Sequence, residues 1–318
     1  MQDTIQISLD YKGLYSKRES VCTMGENRVD TQTLKAYAKI NLTLDVVNRR
    51  SNGYHDVQMI MQQIDLYDEV TVEKTDAGIA VETNCAFIPC DAQNIAWRAA
   101  DLFLKTYEIQ QGVRISIQKN IPVAAGLAGG STNAAAVLRA CNSLFEIHAS
   151  VEDLKALGLK LGADVPFCIE GGAALAEGIG ENLTRIRGLK DGYLVVCKPN
   201  FGVSTREIYE NLQWDRIERH PDTAAMLRAL GGDDLSEICN QLVNVLEEVT
   251  LVRYPEVKVL KERMQEYGAR GVLMSGSGPT VFGIFRQGDK ARRACENLKR
   301  YYRQAYVVKP VEAMGDEV

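Results

Sequence analysis

The stretch Ile121-Pro-Val-Ala-Ala-Gly-Leu-Ala-Gly-Gly-Ser-Thr-Asn133 decides how the rest of the chain is read. Upstream of it Val113, Ile115 and Ile117 alternate with polar residues as a strand does, and downstream Ala134 to Phe145 is an alanine-rich helical segment. A glycine-rich loop therefore opens a helix. Glycines let the backbone approach an anion and aim several N–H groups at it, and the helix N-terminus adds partial positive charge. The loop fits neither GxxxxGK[ST] nor GxGxxG, so neither common nucleotide motif applies. A tight strand-to-helix connection with Ser131 as N-cap is the plainer use of the same residues, and the long helix behind the loop favours a phosphate.

Working toward the N-terminus, Asn94 precedes an apolar stripe of Ile95, Ala96, Ala99, Leu102 and Phe103 at helical spacing, which makes it an N-cap. Further back, every even position from Leu34 to Val46 is apolar, and Lys35, Tyr37, Lys39, Asn41, Thr43 and Asp45 occupy the odd ones. That pattern predicts a half-buried strand. Asn48 to Gly53 reads as a turn, and Asp56 to Lys74 as further strands broken by the acidic stretch Asp65 to Glu69. Residues Met1 to Thr33 are polar and aperiodic and are expected to form a flexible extension, with Met24 as an alternative start inside it.

Toward the C-terminus, Val151 to Leu161 forms a helix whose Ser150 and Asp153 have capping-box spacing, and Ala163 to Pro166 is expected as a loop. Beyond a boundary near Arg187 to Asp191 come a strand at Tyr193 to Cys197, helices between Ser204 and Val249, and a helix at Pro255 to Tyr267. A strand at Gly271 to Met274, a Ser275-Gly-Ser-Gly278 turn, a strand at Thr280 to Phe285, a helix at Asp289 to Arg303 and a strand at Ala305 to Val311 complete the chain. Without the inserted helices this is β-α-β-β-α-β, a ferredoxin-like order. The expected fold is α+β in two domains, residues 34–188 and 189–318.

Composition sets outer limits. The 318 residues are 46% hydrophobic and 25% charged, as in ordinary globular proteins, and 37 Lys and Arg against 42 Asp and Glu give a net charge of −5. Such a chain has no general attraction for nucleic acid or anionic lipid. No apolar run reaches a membrane span, and Met1 to Tyr11 lacks a signal-peptide pattern, so a cytoplasmic protein is expected. Eight cysteines without a CxxC pair are expected as buried thiols. The three histidines His55, His148 and His220 lack zinc-ligand spacing, so any metal is expected to arrive with a substrate.

Among residues able to carry chemistry, Lys39 and Asn41 share the non-apolar face of the first strand, and Asp164 lies in a short loop between Gly162 and Pro166 where a carboxylate can face a cleft. Tyr54 and His55 follow a turn. Ser275 to Gly278 alone is an ordinary hairpin connection. A Ser-His-Asp hydrolase fails on the same residues, since the only glycine-flanked candidate, Ser277, lacks GxSxG spacing and a strand-to-helix setting.

Together these segments resemble the GHMP kinase superfamily. Pro122-Val-Ala-Ala-Gly-Leu-Ala-Gly-Gly-Ser-Thr132 is similar to its phosphate-binding motif, and Leu273-Met-Ser-Gly-Ser-Gly-Pro-Thr-Val-Phe282 to its third motif. Ala38-Lys-Ile-Asn-Leu42, Asn52-Gly-Tyr-His-Asp56 and Leu161-Gly-Ala-Asp-Val-Pro-Phe167 resemble the branch that phosphorylates the 2-hydroxyl of 4-diphosphocytidyl-2-C-methyl-D-erythritol in the non-mevalonate isoprenoid pathway. The resemblance, from about Tyr37 to Val311, implies ATP as phosphoryl donor with Mg²⁺, and a cytidine diphosphate-linked polyol as acceptor. It implies Asp164 as the base and Lys39 as the group that orients it and stabilises developing charge. Pro122, Val123, Ala124, Ala125, Gly126, Leu127, Ala128, Gly129, Gly130, Ser131 and Thr132 would hold the ATP phosphates, with Asn94 near the adenine. Tyr54 and His55 would recognise the cytosine, Asn41 would lie at the reacting end, and Thr205 and Tyr209 would close the cytidine pocket. Ser131 is the candidate magnesium ligand, and no carboxylate is identified for that role. Ala124 and Ala128 stand where many relatives have glycine. Homoserine, mevalonate and sugar kinases of the same superfamily are the nearest alternatives, and a non-catalytic nucleotide sensor is the alternative of another class. Tyr54-His55 argues against small polyols, which have no base to stack, and an intact Lys39 and Asp164 argue against the sensor.

Overall fold

A computed structural model of the chain describes residues 30–312 apart from Asn52. The expected extension lies outside the described residues as far as residue 29. Its last part is corrected: β1 (Thr31–Arg49) begins before Leu34, because Thr31 to Thr33 pair with Thr71 to Glu73. The segment after the first turn is one long strand, β2 (His55–Thr75), antiparallel to β1. The acidic stretch does not break it. Asp68 is fully buried and hydrogen-bonded, and the Asp65 carboxylate accepts from the Lys309 N–H at 2.6 Å.

The first sheet continues with β3 (Ile79–Thr83) and β4 (Gly112–Gln118), with α1 (Ile95–Thr106) between them. After α2 (Gly129–Leu144), α3 (Val151–Leu159) and α4 (Val165–Glu170) come β5 (Ala173–Glu177) and β6 (Asn182–Arg185). The capping box of α3 forms as the spacing predicts, Ser150 and Asp153 each satisfying the other's backbone N–H. Two expectations are corrected here. Ala163 to Pro166 is not simply a loop, because Asp164 is the N-cap of α4 and Pro166 sits in its first turn, where a missing N–H costs nothing. α2 starts at Gly129 with Ala128, not Ser131, as its N-cap.

The second half begins with β7 (Tyr193–Lys198) and the helices α5 (Thr205–Asn211), α6 (Thr223–Gly231) and α7 (Leu235–Asn240). A short β8 (Val243–Asn244), α8 (Glu247–Arg253), α9 (Pro255–Glu266), β9 (Gly271–Met274), β10 (Val281–Phe285), α10 (Gly288–Leu298) and β11 (Gln304–Val308) follow. Its sheet runs β11-β7-β10-β9, all antiparallel, the 4-1-3-2 order of a ferredoxin-like unit. The first sheet runs β3-β4-β2-β1-β8, with β5 and β6 attached beyond β2. β8 thus leaves the second half and pairs in parallel with β1.

β1 departs from a half-buried strand at its centre, where Lys39, Asn41 and Thr43 are buried along with the even positions. Its pairing with β2 shifts register between Tyr37 and Lys39 and again between Asn41 and Thr43. Such irregularities re-aim side chains. Ala36, Leu44 and Val46 pack into the core that contains α1 and α2, whereas Ala38, Ile40 and Leu42 join the core under the second sheet with Leu194 and Phe282. The segment carrying Lys39 and Asn41 therefore sits between two cores. α2 packs against β1, α1 and α4 through Ala134, Ala135, Ala136 and Ala140, small side chains that allow close approach.

Candidate active site

The loop between β4 and α2 is built on alternating handedness: Ala124, Gly126 and Ala128 have φ of 50°, 73° and 57°, with their neighbours right-handed or extended. That alternation gathers successive N–H groups on one side, as anion-binding nests do. No side chain caps the N-terminus of α2, so its first N–H groups are left for an anion. Gly126 is required by contact as well as conformation, since a Cβ there would lie 2.2 Å from the Ser275 carbonyl oxygen. Ser275 Oγ donates to the Gly126 carbonyl at 3.0 Å, fastening the Ser275–Gly278 turn behind the loop. The Lys39 N–H donates to the Leu127 carbonyl at 3.1 Å and Thr132 Oγ1 to the Tyr37 carbonyl at 2.8 Å, tying the loop to β1.

A buried charged group anchors the loop's entry, and its residues were absent from the candidates read in the sequence. Asp68 accepts from the N–H groups of Asn120 and Ile121 at 2.7 and 2.8 Å and from Asn133 Nδ2 at 2.8 Å, and it pairs with the Lys119 ammonium. Four donors converge on one carboxylate. Removing one partner of such a buried pair costs about 3–5 kcal/mol because the other charge stays buried.

On the other side of the loop, Lys39 is 4% exposed, donates from Nζ to Asn41 Oδ1 at 2.9 Å and lies 3.8 Å from Asp164 Oδ2. Asp164 remains a third exposed, so its carboxylate faces open space. Asn41 Nδ2 contacts Met59 Sδ at 3.2 Å. The structure brings these three residues together as the sequence reading requires. Asp164 owes its place to two neighbours in sequence: Gly162, whose carbonyl accepts the Val165 N–H, and Pro166, which starts α4 immediately after it.

The Asp164 charge acts on one of a pair of rings. Burial foremost, and the Asp164 charge after it, raise the Tyr209 hydroxyl above the usual tyrosine range. The Tyr209 ring lies 5.3 Å from the His55 ring, inclined by 38°. Burial, helped by the Arg49 charge, lowers the His55 imidazole below its ordinary value, which favours the neutral ring. Tyr54 beside it is largely exposed. Thr205 Oγ1 and Ser277 Oγ are hydrogen-bonded at 2.8 Å, so the Ser275–Gly278 turn touches both the phosphate loop and the start of α5. Read alone, that turn was an ordinary hairpin. Its alternation of serine and glycine, with Ser277 between Gly276 and Gly278, is the signal the sequence offers.

Asn94 is held in a structural role, with Oδ1 accepting the Ala96 N–H at 2.9 Å and Nδ2 donating to the Pro89 carbonyl at 2.8 Å. It adjoins the loop through Ile95, whose Cγ2 would meet a Cβ on Gly130 at 3.4 Å. Ser131 is half-buried in the first turn of α2.

Residues 94–172 match the family profile described as GHMP kinases N terminal domain, and residues 224–304 that described as GHMP kinases C terminal. The 4-diphosphocytidyl-2-C-methyl-D-erythritol kinase of Clostridium perfringens is 50% identical over 86% of this chain and 96% of its own. The enzyme of that name from Clostridium beijerinckii is 46% identical over 87% of this chain and 99% of its own. A crystal structure of 4-(cytidine 5'-diphospho)-2C-methyl-D-erythritol kinase superposes with a TM-score of 0.76 at 35% identity, covering 89% of this chain and all of that one.

Proposed function

The chain belongs to the GHMP kinase family, and from that premise we propose that its site transfers the γ-phosphoryl group of ATP to the 2-hydroxyl of 4-diphosphocytidyl-2-C-methyl-D-erythritol, releasing ADP. The observation that carries this reading is the placement of Lys39 and Asp164, 3.8 Å apart, between the phosphate loop and the His55–Tyr209 ring pair. Phosphoryl transfer asks the protein mainly for in-line placement and charge neutralisation. The loop from Pro122 to Thr132 holds the ATP phosphates at the N-terminus of α2, through N–H groups from Val123 onward because Pro122 has none. Asp164 accepts the proton of the attacking hydroxyl as the O–P bond forms, and the Lys39 ammonium orients Asp164 and offsets negative charge developing at the transferring group. Asn41 holds Lys39 from its other side. Tyr54, His55 and Tyr209 grip the cytosine by stacking and edge hydrogen bonds, and Thr205 closes the pocket from α5. Asn94 contributes to the adenine side by fixing where α1 starts.

Mg²⁺ accompanies the nucleotide in this reading. The Ser131 hydroxyl, a hard oxygen donor in the first turn of α2, fits it, and the ion supplies neutralisation of phosphate charge. The chain acts as two domains, 34–188 with the phosphate loop and catalytic pair and 189–318 with the ferredoxin-like sheet, a division supported by where hydrogen bonding passes from one sheet to the other. Small molecules, not nucleic acid or membrane, are its partners. No helix among the described residues is long and apolar enough to cross a membrane.

The test is ADP release with ATP, Mg²⁺ and each of 4-diphosphocytidyl-2-C-methyl-D-erythritol, mevalonate, homoserine and galactose, with Asp164→Asn as the blank. Turnover confined to the cytidine compound is expected. Preference for another alcohol would keep the phosphotransferase and discard the cytosine role of Tyr54 and His55, and silence with all four would point to a nucleotide sensor.

A further inference from the structure

Lys198, the last residue of β7, is only 7% exposed, and its ammonium has no carboxylate partner among the described residues. Its Nζ donates to the Pro199 carbonyl at 3.1 Å and to the Phe201 carbonyl at 2.6 Å. A buried lysine paired only with neutral oxygens is costly for a fold, and burial lowers its pKa below the ordinary lysine value. A methionine would fill the same space without that cost.

What the ammonium holds is the path from β7 to α5. Gly202 in that path packs on the phosphate loop, where a Cβ would stand 3.0 Å from the Ala124 Cβ, and Phe201 stacks on Tyr254 with ring centres 5.5 Å apart. Val203 is buried, and Ser204 caps α5 by accepting the Glu207 N–H. α5 runs only from Thr205 to Asn211, too short to be stable by its own hydrogen bonds, so its position depends on these anchors. Thr205 and Tyr209, the residues that meet Ser277 and His55, are carried on it.

We propose that Lys198 is a positioning residue for the acceptor: by binding the Pro199 and Phe201 carbonyls it folds residues 199–203 against the phosphate loop and so sets where Thr205 and Tyr209 meet the cytidine. The inference deepens the cytidine-acceptor reading and rests on it. It predicts a selective defect. Lys198→Met raises the acceptor KM about tenfold, while kcat and the ATP KM stay within about threefold, the loss of charge-assisted hydrogen bonds being felt in acceptor binding. Lys198→Arg, which keeps the charge and the donors, recovers most of that loss. A general structural role would instead move kcat and both KM values together.

The experiment is steady-state kinetics on wild type, Lys198→Met and Lys198→Arg with both substrates varied, together with amide hydrogen exchange over residues 199–209 in the same proteins. Faster exchange there in Lys198→Met, with the selective KM rise, is the expected result. A wild-type acceptor KM in Lys198→Met, or equal losses in all parameters, overturns the inference while leaving the kinase reading intact. A wild type that ignores the cytidine acceptor overturns the reading, and unchanged exchange over 199–209 overturns the role of Lys198 whatever the substrate. Should Lys198→Met not fold, Lys198→Gln, which keeps a neutral NH₂ donor on a shorter side chain, carries the same measurements with an expected KM rise of about threefold.

Discussion

In the proposed reaction Asp164 and His55 have different tasks, and each can be tested on its own. Asp164 sits where Gly162 and Pro166 turn the chain into α4, and its carboxylate stays a third exposed beside the buried Lys39. Asp164→Asn keeps that geometry and removes the proposed proton acceptor, so kcat is expected to fall about 10²–10⁴-fold with ATP affinity unchanged by calorimetry. Loss of ATP binding in a folded variant would make the residue structural. For His55 the sign of the pH dependence follows from burial. The unfolded ring titrates near 6.5 and the folded ring lower, so between those values the unfolded state holds more protons. The stabilising contribution of the neutral ring is therefore complete above about pH 6.5, declines as pH falls toward the lowered value and is lost below it. Urea midpoints of wild type and His55→Gln, compared from pH 7.5 to 5.5, should show a steeper acid decline in wild type, and parallel curves would contradict this. At this scale the motifs made the meeting of Lys39, Asn41 and Asp164 legible in the sequence. Asp68, Lys119 and Asn133 were not legible, because their meeting joins positions 51 and 65 residues apart that no periodicity links.

The loop between β4 and α2 holds a costly conformation. Ala124 and Ala128 hold left-handed φ values without being glycine, a strain of order 1–2 kcal/mol each that persists only where surrounding contacts enforce it. Ala128→Gly should raise stability by about 0.5–1 kcal/mol, relief of strain exceeding the entropy added to the unfolded chain. Gly126→Ala has the opposite fate. Its Cβ would stand 2.2 Å from the Ser275 oxygen at φ 73°, so a loss above about 2 kcal/mol in urea denaturation is expected, with a raised ATP KM. Equal stability of Gly126→Ala and wild type would show that the two loops do not abut. Elements with a strong local signal emerged from sequence close to their true limits: the Ser150 capping box of α3, the Asn94 cap of α1 and the strand Gly271–Met274. α4 and β8 did not, having too few residues to display a period, and the register shifts in β1 depend on a partner strand that alternation within one segment does not reveal.

Across the whole molecule, the order of strands in the second half was readable because β-α-β-β-α-β survives once the inserted helices are set aside, whereas the exchange of segments between the halves was not. Beyond β8, the chain after β11 returns to the first half. The Asp65 N–H donates to the Lys309 carbonyl, the Val311 N–H to the Gln63 carbonyl and Gln62 Nε2 to the Val311 carbonyl, each at 2.9 Å. Gln62 is fully buried. Ending the chain at Val308 leaves these groups unpaired, and a loss of about 2–4 kcal/mol is expected from the urea midpoint, with kcat falling less than stability. A truncated protein as stable as the full chain would show that the return is ornamental. The same return matters during synthesis. A chain leaving the ribosome completes the loop at residues 122–132 long before residues 309–311 emerge, and for that interval the Gln62–Asp65 segment of β2 keeps open hydrogen-bonding positions. The first half must wait, collapsed but unsealed, for residues 309–311, and a ribosome that stalls before reaching them would leave behind a gap in the middle of the first sheet rather than a sealed half.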